Sequence, residues 1–79
     1  MDMSEIAGML DGLLNDTTIP KNIRRALGKG KARLEGAEEK NVKLSAAIYL
    51  IEGVSEDINM PSHARTQIWA LMSSLESLI

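Results

Sequence analysis

The sequence predicts an all-α protein: a compact four-helix bundle built from two tandem helical hairpins. Three observations lead there. Apolar residues recur at helical spacing, the chain repeats itself at an offset of 41 residues, and its apolar residues are mostly Leu, Ile, Met and Ala, with one Trp, one Tyr and no Phe. Aliphatic, Met-containing cores suit helix packing, and β-branched residues are too sparse here for a sheet. The 79 residues are 44% hydrophobic and 25% charged with a formal net charge of −2, the composition of a single soluble domain. A chain of this size hides only about 60% of the surface its unfolded form exposes, so its core is modest.

The first hairpin is read as residues 3–35, a connecting loop as 36–42 and the second hairpin as 43–78. In 3–14, Met3, Ile6, Met9, Leu10, Leu13 and Leu14 share one face, opposed by Ser4, Asp11 and Asn15. In 20–35, Ile23, Ala26, Leu27, Gly30 and Leu34 line one side. Gly28 and Gly30 each cost about 1 kcal/mol relative to Ala inside a helix, which predicts a frayed end there. Gly36 is the expected C-cap. In 43–55, Leu44, Ala47, Ile48, Ile51 and Val54, widened by Leu50, predict the most buried of the four helices. In 61–78, Ala64, Ile68, Leu71, Met72, Leu75 and Leu78 complete the set.

The offset aligns Ser4 with Ser45, Gly12 with Gly53, Asp16 with Asp57, Pro20 with Pro61, Arg24 with Arg65 and Leu34 with Leu75. A period near 40 holding two helices is the size of a helical-hairpin repeat. Asp, Pro and Arg recur together because each hairpin needs a corner. Pro20 and Pro61 suit a first helical position. Asp16 and Asp57 are expected to bind free amides of the next helix or to pair with Arg24 and Arg65.

The stretches "LLNDTTIPKNIRRAL" and "INMPSHARTQIWALMSSLE" resemble an uncharacterised family of small archaeal proteins known by a placeholder name, over roughly residues 4–77. The strings "IPKNIRRA" and "NMPSHARTQIW" carry the resemblance. It implies a compact four-helix protein with no assigned activity, so no functional residue is carried over. A weaker similarity to HEAT-type hairpins rests on the recurring Asp, Pro and Arg.

No cysteine is present, which excludes disulfides and thiolate metal sites. The start "MDMSEIAGML" lacks a secretory pattern and no apolar run reaches the ~18 residues of a membrane span, so the chain reads as cytoplasmic. "GKGK" lacks the spacing and hydroxyl of a phosphate loop. "EDIN" and "LND" fall short of a calcium loop. His63 is the sole histidine and reads as an exposed first-turn residue. Neither cofactor, metal nor small-molecule substrate is expected, and the protein is read as no enzyme.

Six of the nine basic residues, Lys21, Arg24, Arg25, Lys29, Lys31 and Arg33, fall in one acid-free stretch, while residues 1–16 carry four acids. Three readings stand: a solvated face paired with the acidic first helix, a contact for nucleic-acid phosphates, or a site for an acidic protein partner. Negative net charge and the absence of interleaved aromatics weigh against nucleic acid. Trp69 lies off the apolar stripe on the side of Arg65, and Tyr49 lies off the stripe of its own helix. Trp69 either covers the neighbouring hairpin with Arg65 stacked on it, or anchors an interface. The reading that follows is a non-catalytic interaction module, accessory to a cytoplasmic complex, with a protein partner or a second copy of itself. RNA or ribosome association through the basic helix is the alternative.

Overall fold

The computed structural model describes residues 2–79 and contains α1 (Met3–Leu14), α2 (Lys21–Leu34), α3 (Lys40–Ser55) and α4 (Ser62–Ser77), with no strand among the described residues. Each helix packs against its two neighbours in the ring α1–α2–α3–α4–α1, and the molecule measures 33 × 20 × 20 Å.

Local chemistry sets the boundaries. Asp2 caps α1 by accepting the Glu5 amide at 2.9 Å. Pro20 and Pro61 stand one position earlier than expected, as N-cap residues with extended ψ of 149° and 144°, and α2 and α4 begin after them. The proline ring still fixes φ, and each carbonyl accepts the first helical bonds, from Ile23 and Arg24 and from Ala64 and Arg65. α3 begins at Lys40, three residues before the expected boundary, because the Glu39 carboxylate caps the Asn41 amide. That first turn carries little apolar signal.

The fraying expected at Gly28 and Gly30 does not occur: α2 runs unbroken to Leu34. Gly30 is buried, and a Cβ placed on it would lie 3.4 Å from Ile51 Cγ1 and 3.7 Å from the Ala47 carbonyl. Tertiary packing offsets its poor propensity, and α2 and α3 share the most extensive contact in the ring. Gly36 is not the C-cap; Glu35 is, in ordinary right-handed conformation, and no glycine has positive φ.

One cluster of buried side chains forms the core, led by Ile6, Leu10, Leu13, Ile19, Ile23, Leu27, Leu44, Ile51, Ile68, Leu71 and Leu75. Burial follows the sequence offset: Leu10 and Ile51, Ile19 and Met60, Ile23 and Ala64, Leu27 and Ile68, and Leu34 and Leu75 are all buried in matching pairs. α3 is not the most buried helix. Its buried set is Leu44, Ala47, Ile51 and Ser55, no larger than that of α2 or α4, since Leu50 is only half covered and Tyr49 faces solvent.

Candidate functional site

The two corners lie side by side at one end of the bundle. Asp16 folds back on its own turn: Oδ1 accepts the Thr18 amide at 2.9 Å and the Thr18 hydroxyl at 2.6 Å. Asp57 does the same for the Asn59 amide at 2.8 Å. Such Asx turns supply a tight bend without positive φ. The expected Asp–Arg ion pairs are absent among the described residues. Each arginine instead holds a backbone carbonyl of its corner: Arg24 Nε donates to Ile19 at 2.9 Å and Arg65 Nη2 to Asp57 at 3.0 Å. Both arginines are half-buried, so they satisfy carbonyls that water reaches poorly.

The second carboxylate oxygens cross between corners. His63 Nε2 lies 2.8 Å from Asp16 Oδ2, and Asn22 Nδ2 donates to Asp57 Oδ2 at 3.3 Å. Positions 22 and 63 are themselves related by the offset of 41, so the two contacts are equivalent and each half braces the other. His63 is exposed, as expected, but it is not isolated.

The bonds from the Thr18 hydroxyl, then from His63, then from the Thr18 amide hold the Asp16 carboxyl at about 2, below its ordinary 3.8. A depressed carboxylate pKa contributes stability that is complete above the unfolded value and is lost as pH falls through the folded one. Asp16→Asn is therefore expected to melt below the parent at pH 5, with the gap closing between pH 4 and pH 2. Thermal melts at both ends of that window check it; a gap independent of pH would refute the titration.

The six clustered cations divide into two groups. Arg24 is held in its corner, Lys31 pairs with Asp11 of α1, and Arg33 pairs with Glu38 at 2.8 Å. Asp11 raises the Lys31 ammonium above its ordinary value, chiefly through that hydrogen bond. Lys21, Arg25 and Lys29 are exposed and make no ion pair among the described residues. The acidic first helix therefore neutralises a single member of the cluster, Lys31.

Tyr49 is 78% exposed and Trp69 54% exposed. Arg65 is half-buried and bound to the corner carbonyl of Asp57. The offset pairs Tyr49 with Gly8 and Trp69 with Gly28, so both aromatic residues stand where the first half has no side chain at all. A shallow depression of about 330 Å³ lies beside Tyr49, over Gly53 and Val54. Ile58, at the tip of the second corner, is 91% exposed; nothing in the apolar periodicity marked it, because it lies in a turn.

Between α1 and the end of α2, an apolar groove of about 300 Å³ is lined by Met3, Ala7, Leu10, Lys31 and Leu34. Their offset partners are Leu44, Ile48, Ile51, Met72 and Leu75. Ile48 and Met72 pack on the core in the second half, whereas Ala7 and Lys31 leave the space open in the first. No group of three or more His, Asp or Glu among the described residues could hold a metal ion. None of the described helices is long and apolar enough to cross a membrane.

Residues 1–78 match the model of an uncharacterised protein family, UPF0147. The chain is 50% identical over 72 residues to the UPF0147 protein MJ1419 of Methanocaldococcus jannaschii, covering 90% of this chain and 77% of that protein. It is 37% identical to a UPF0147 protein of Archaeoglobus fulgidus over 76 residues, 96% of this chain and 87% of the relative. The crystal structure of a protein from this uncharacterised family from Thermoplasma acidophilum superimposes with a TM-score of 0.91 at 31% identity, covering 96% of this chain and 91% of that one. That of the unknown-function protein MMP1188 gives 0.89 at 43% identity, covering 94% and 85%. The same four-helix architecture thus extends across sequences that differ at half their positions or more, and this chain belongs to the UPF0147 family of uncharacterised archaeal proteins.

Proposed function

We propose that this protein is a non-catalytic interaction module, an accessory component of a cytoplasmic assembly, that binds a protein partner or a second copy of itself through Tyr49 and Trp69. One observation carries the reading: both large aromatic residues are exposed on a scaffold whose other half has glycine at the equivalent positions. Position 8 has open space around it and position 28 only a single ordinary contact, with Leu14, so the fold itself asks for no side chain there. Exposed Trp and Tyr are the residues that anchor protein interfaces, where they bury large area at little entropic cost. The half-buried Arg65 ties the helix that presents Trp69 to the Asp57 carbonyl of its corner. Catalysis would need convergent titratable groups in a concave site. The one titratable pair that crosses between the halves at the corners, Asp16 and His63, is accounted for by the bracing there.

Trp69→Ala tests this. The expected result is at least a 30-fold loss of association, corresponding to a hot spot of about 2 kcal/mol, with the melting temperature within a few degrees of the parent. Sedimentation velocity reads self-association. Pull-down from nuclease-treated native lysate reads a protein partner. An unchanged mass together with an unchanged set of captured proteins refutes the reading.

A further inference from the structure

We infer that the outer face of α2 is a second, independent binding surface that takes the phosphate backbone of a nucleic acid without reading its bases. Lys21, Arg25, Lys29 and Arg33 recur every four residues along the helix, all exposed, and form one row. At 1.5 Å per residue the row is about 18 Å long, with a cation roughly every 6 Å. Arg33, at the end of the row, also reaches Glu38 on the surface. The other two cations of the cluster, Arg24 and Lys31, are turned to partners within the molecule. No acid lies anywhere in Lys21–Leu34.

Apart from Arg33, which sits favourably in the last turn, this row works against the helix that carries it. Like charges four residues apart repel, and Lys21, Arg25, Lys29 and Arg33 make three such pairs in succession. Lys21 also sits in a first turn that contains no acid, against the positive end of the helix dipole. Three of the four cations make no ion pair among the described residues. An arrangement that costs stability and is so little used within the fold is accounted for by an external anion.

One feature selects nucleic acid over an acidic protein. Among the described residues the exposed large hydrophobic side chains are Met3, Val42, Tyr49, Ile58, Trp69 and Ile79, none of them on α2. A protein interface needs an apolar centre, which this face lacks, whereas a phosphate backbone needs only regularly spaced cations. With no aromatic residue in α2 there is no platform for base stacking, so binding is indifferent to sequence.

The test is fluorescence anisotropy of the full chain with a labelled 20-base-pair duplex DNA, the same duplex as RNA, and a 20-nucleotide oligo(dT). Three to four neutralised phosphates on duplex DNA predict that affinity falls roughly 40- to 150-fold between 50 and 200 mM salt. The Lys21→Gln/Arg25→Gln/Lys29→Gln variant is expected to lose binding while melting no lower than the parent, because the repulsive pairs are gone. If that variant does not fold, Arg25→Gln alone should reduce the slope of log affinity against log salt by about 0.9. Absence of binding to all three probes at 50 mM salt overturns the inference, as does retained binding in the triple variant. Competition by poly-glutamate as effective as by duplex at equal charge also overturns it, in favour of an acidic protein.

Discussion

Ile51→Ala is expected to cost about 2–5 kcal/mol, and Gly30→Leu about 1–3 kcal/mol or more, yet the double variant should be more stable than the sum of the two costs allows. Ile51 is fully buried on α3, and its Cγ1 and Cδ1 would lie 3.4 and 3.5 Å from a Cβ on Gly30. An alanine at position 30 fits that gap as ordinary contact. A leucine does not, although leucine is what the offset places at the equivalent Leu71 of α4. Leu71 is fully buried, and α1 and α4 meet less extensively than α2 and α3. Position 30 is therefore where the approach of α2 and α3 limits a side chain to about the size of alanine, and it distorts the symmetry of the ring. Removing the Ile51 side chain opens the space that a leucine at position 30 would need, so a double-mutant cycle should return a favourable coupling of about 1–3 kcal/mol. Urea denaturation followed by circular dichroism, with m unchanged, measures all three variants. Strict additivity would show that the two positions do not share a contact. Against a total stability of about 5–15 kcal/mol, either single cost is large.

The sequence disclosed what periodicity encodes. The four helices, their buried stripes and the recurring corners follow from apolar spacing and the offset of 41, and the pairwise burial of Leu10 with Ile51 or Leu27 with Ile68 repeats that register. Properties of two surfaces meeting were not legible. Gly30 reads as a weak point on propensity alone, since its value lies in what α3 places opposite it. The groove beside Ala7 is a volume left by side chains on two helices, so no single stripe announces it. The division of the six cations into paired and unpaired members depends on which ones find Asp11, Glu38 or a carbonyl. The crossing of the corners had a signal, because Asn22 and His63 align at the same offset as Asp16 and Asp57. It requires knowing that both corners share one end of the bundle.

Gly8, Gly12 and Gly53 offer the opposite outcome, a gain in stability. All three lie within helices, none has positive φ, and a Cβ on any of them meets nothing within 4 Å. Each alanine should then contribute about 0.4–1 kcal/mol by restricting the unfolded chain and improving helix propensity. A Cβ at each site meets no neighbour, so the triple variant should gain about 1–3 kcal/mol and melt roughly 5–20 °C higher. A rise below about 2 °C would show that these positions do not sit in open, regular helix. Such unused stability is informative where it persists. Gly53 lies in the depression next to Tyr49, on the face proposed to meet a protein. If a partner approaches the α3 backbone there, Gly53→Ala alone should raise the melting temperature and weaken association together, whereas Gly8→Ala and Gly12→Ala should raise it without touching association. Equal association for all three single variants would move the partner off the glycine and leave Trp69 as its principal anchor.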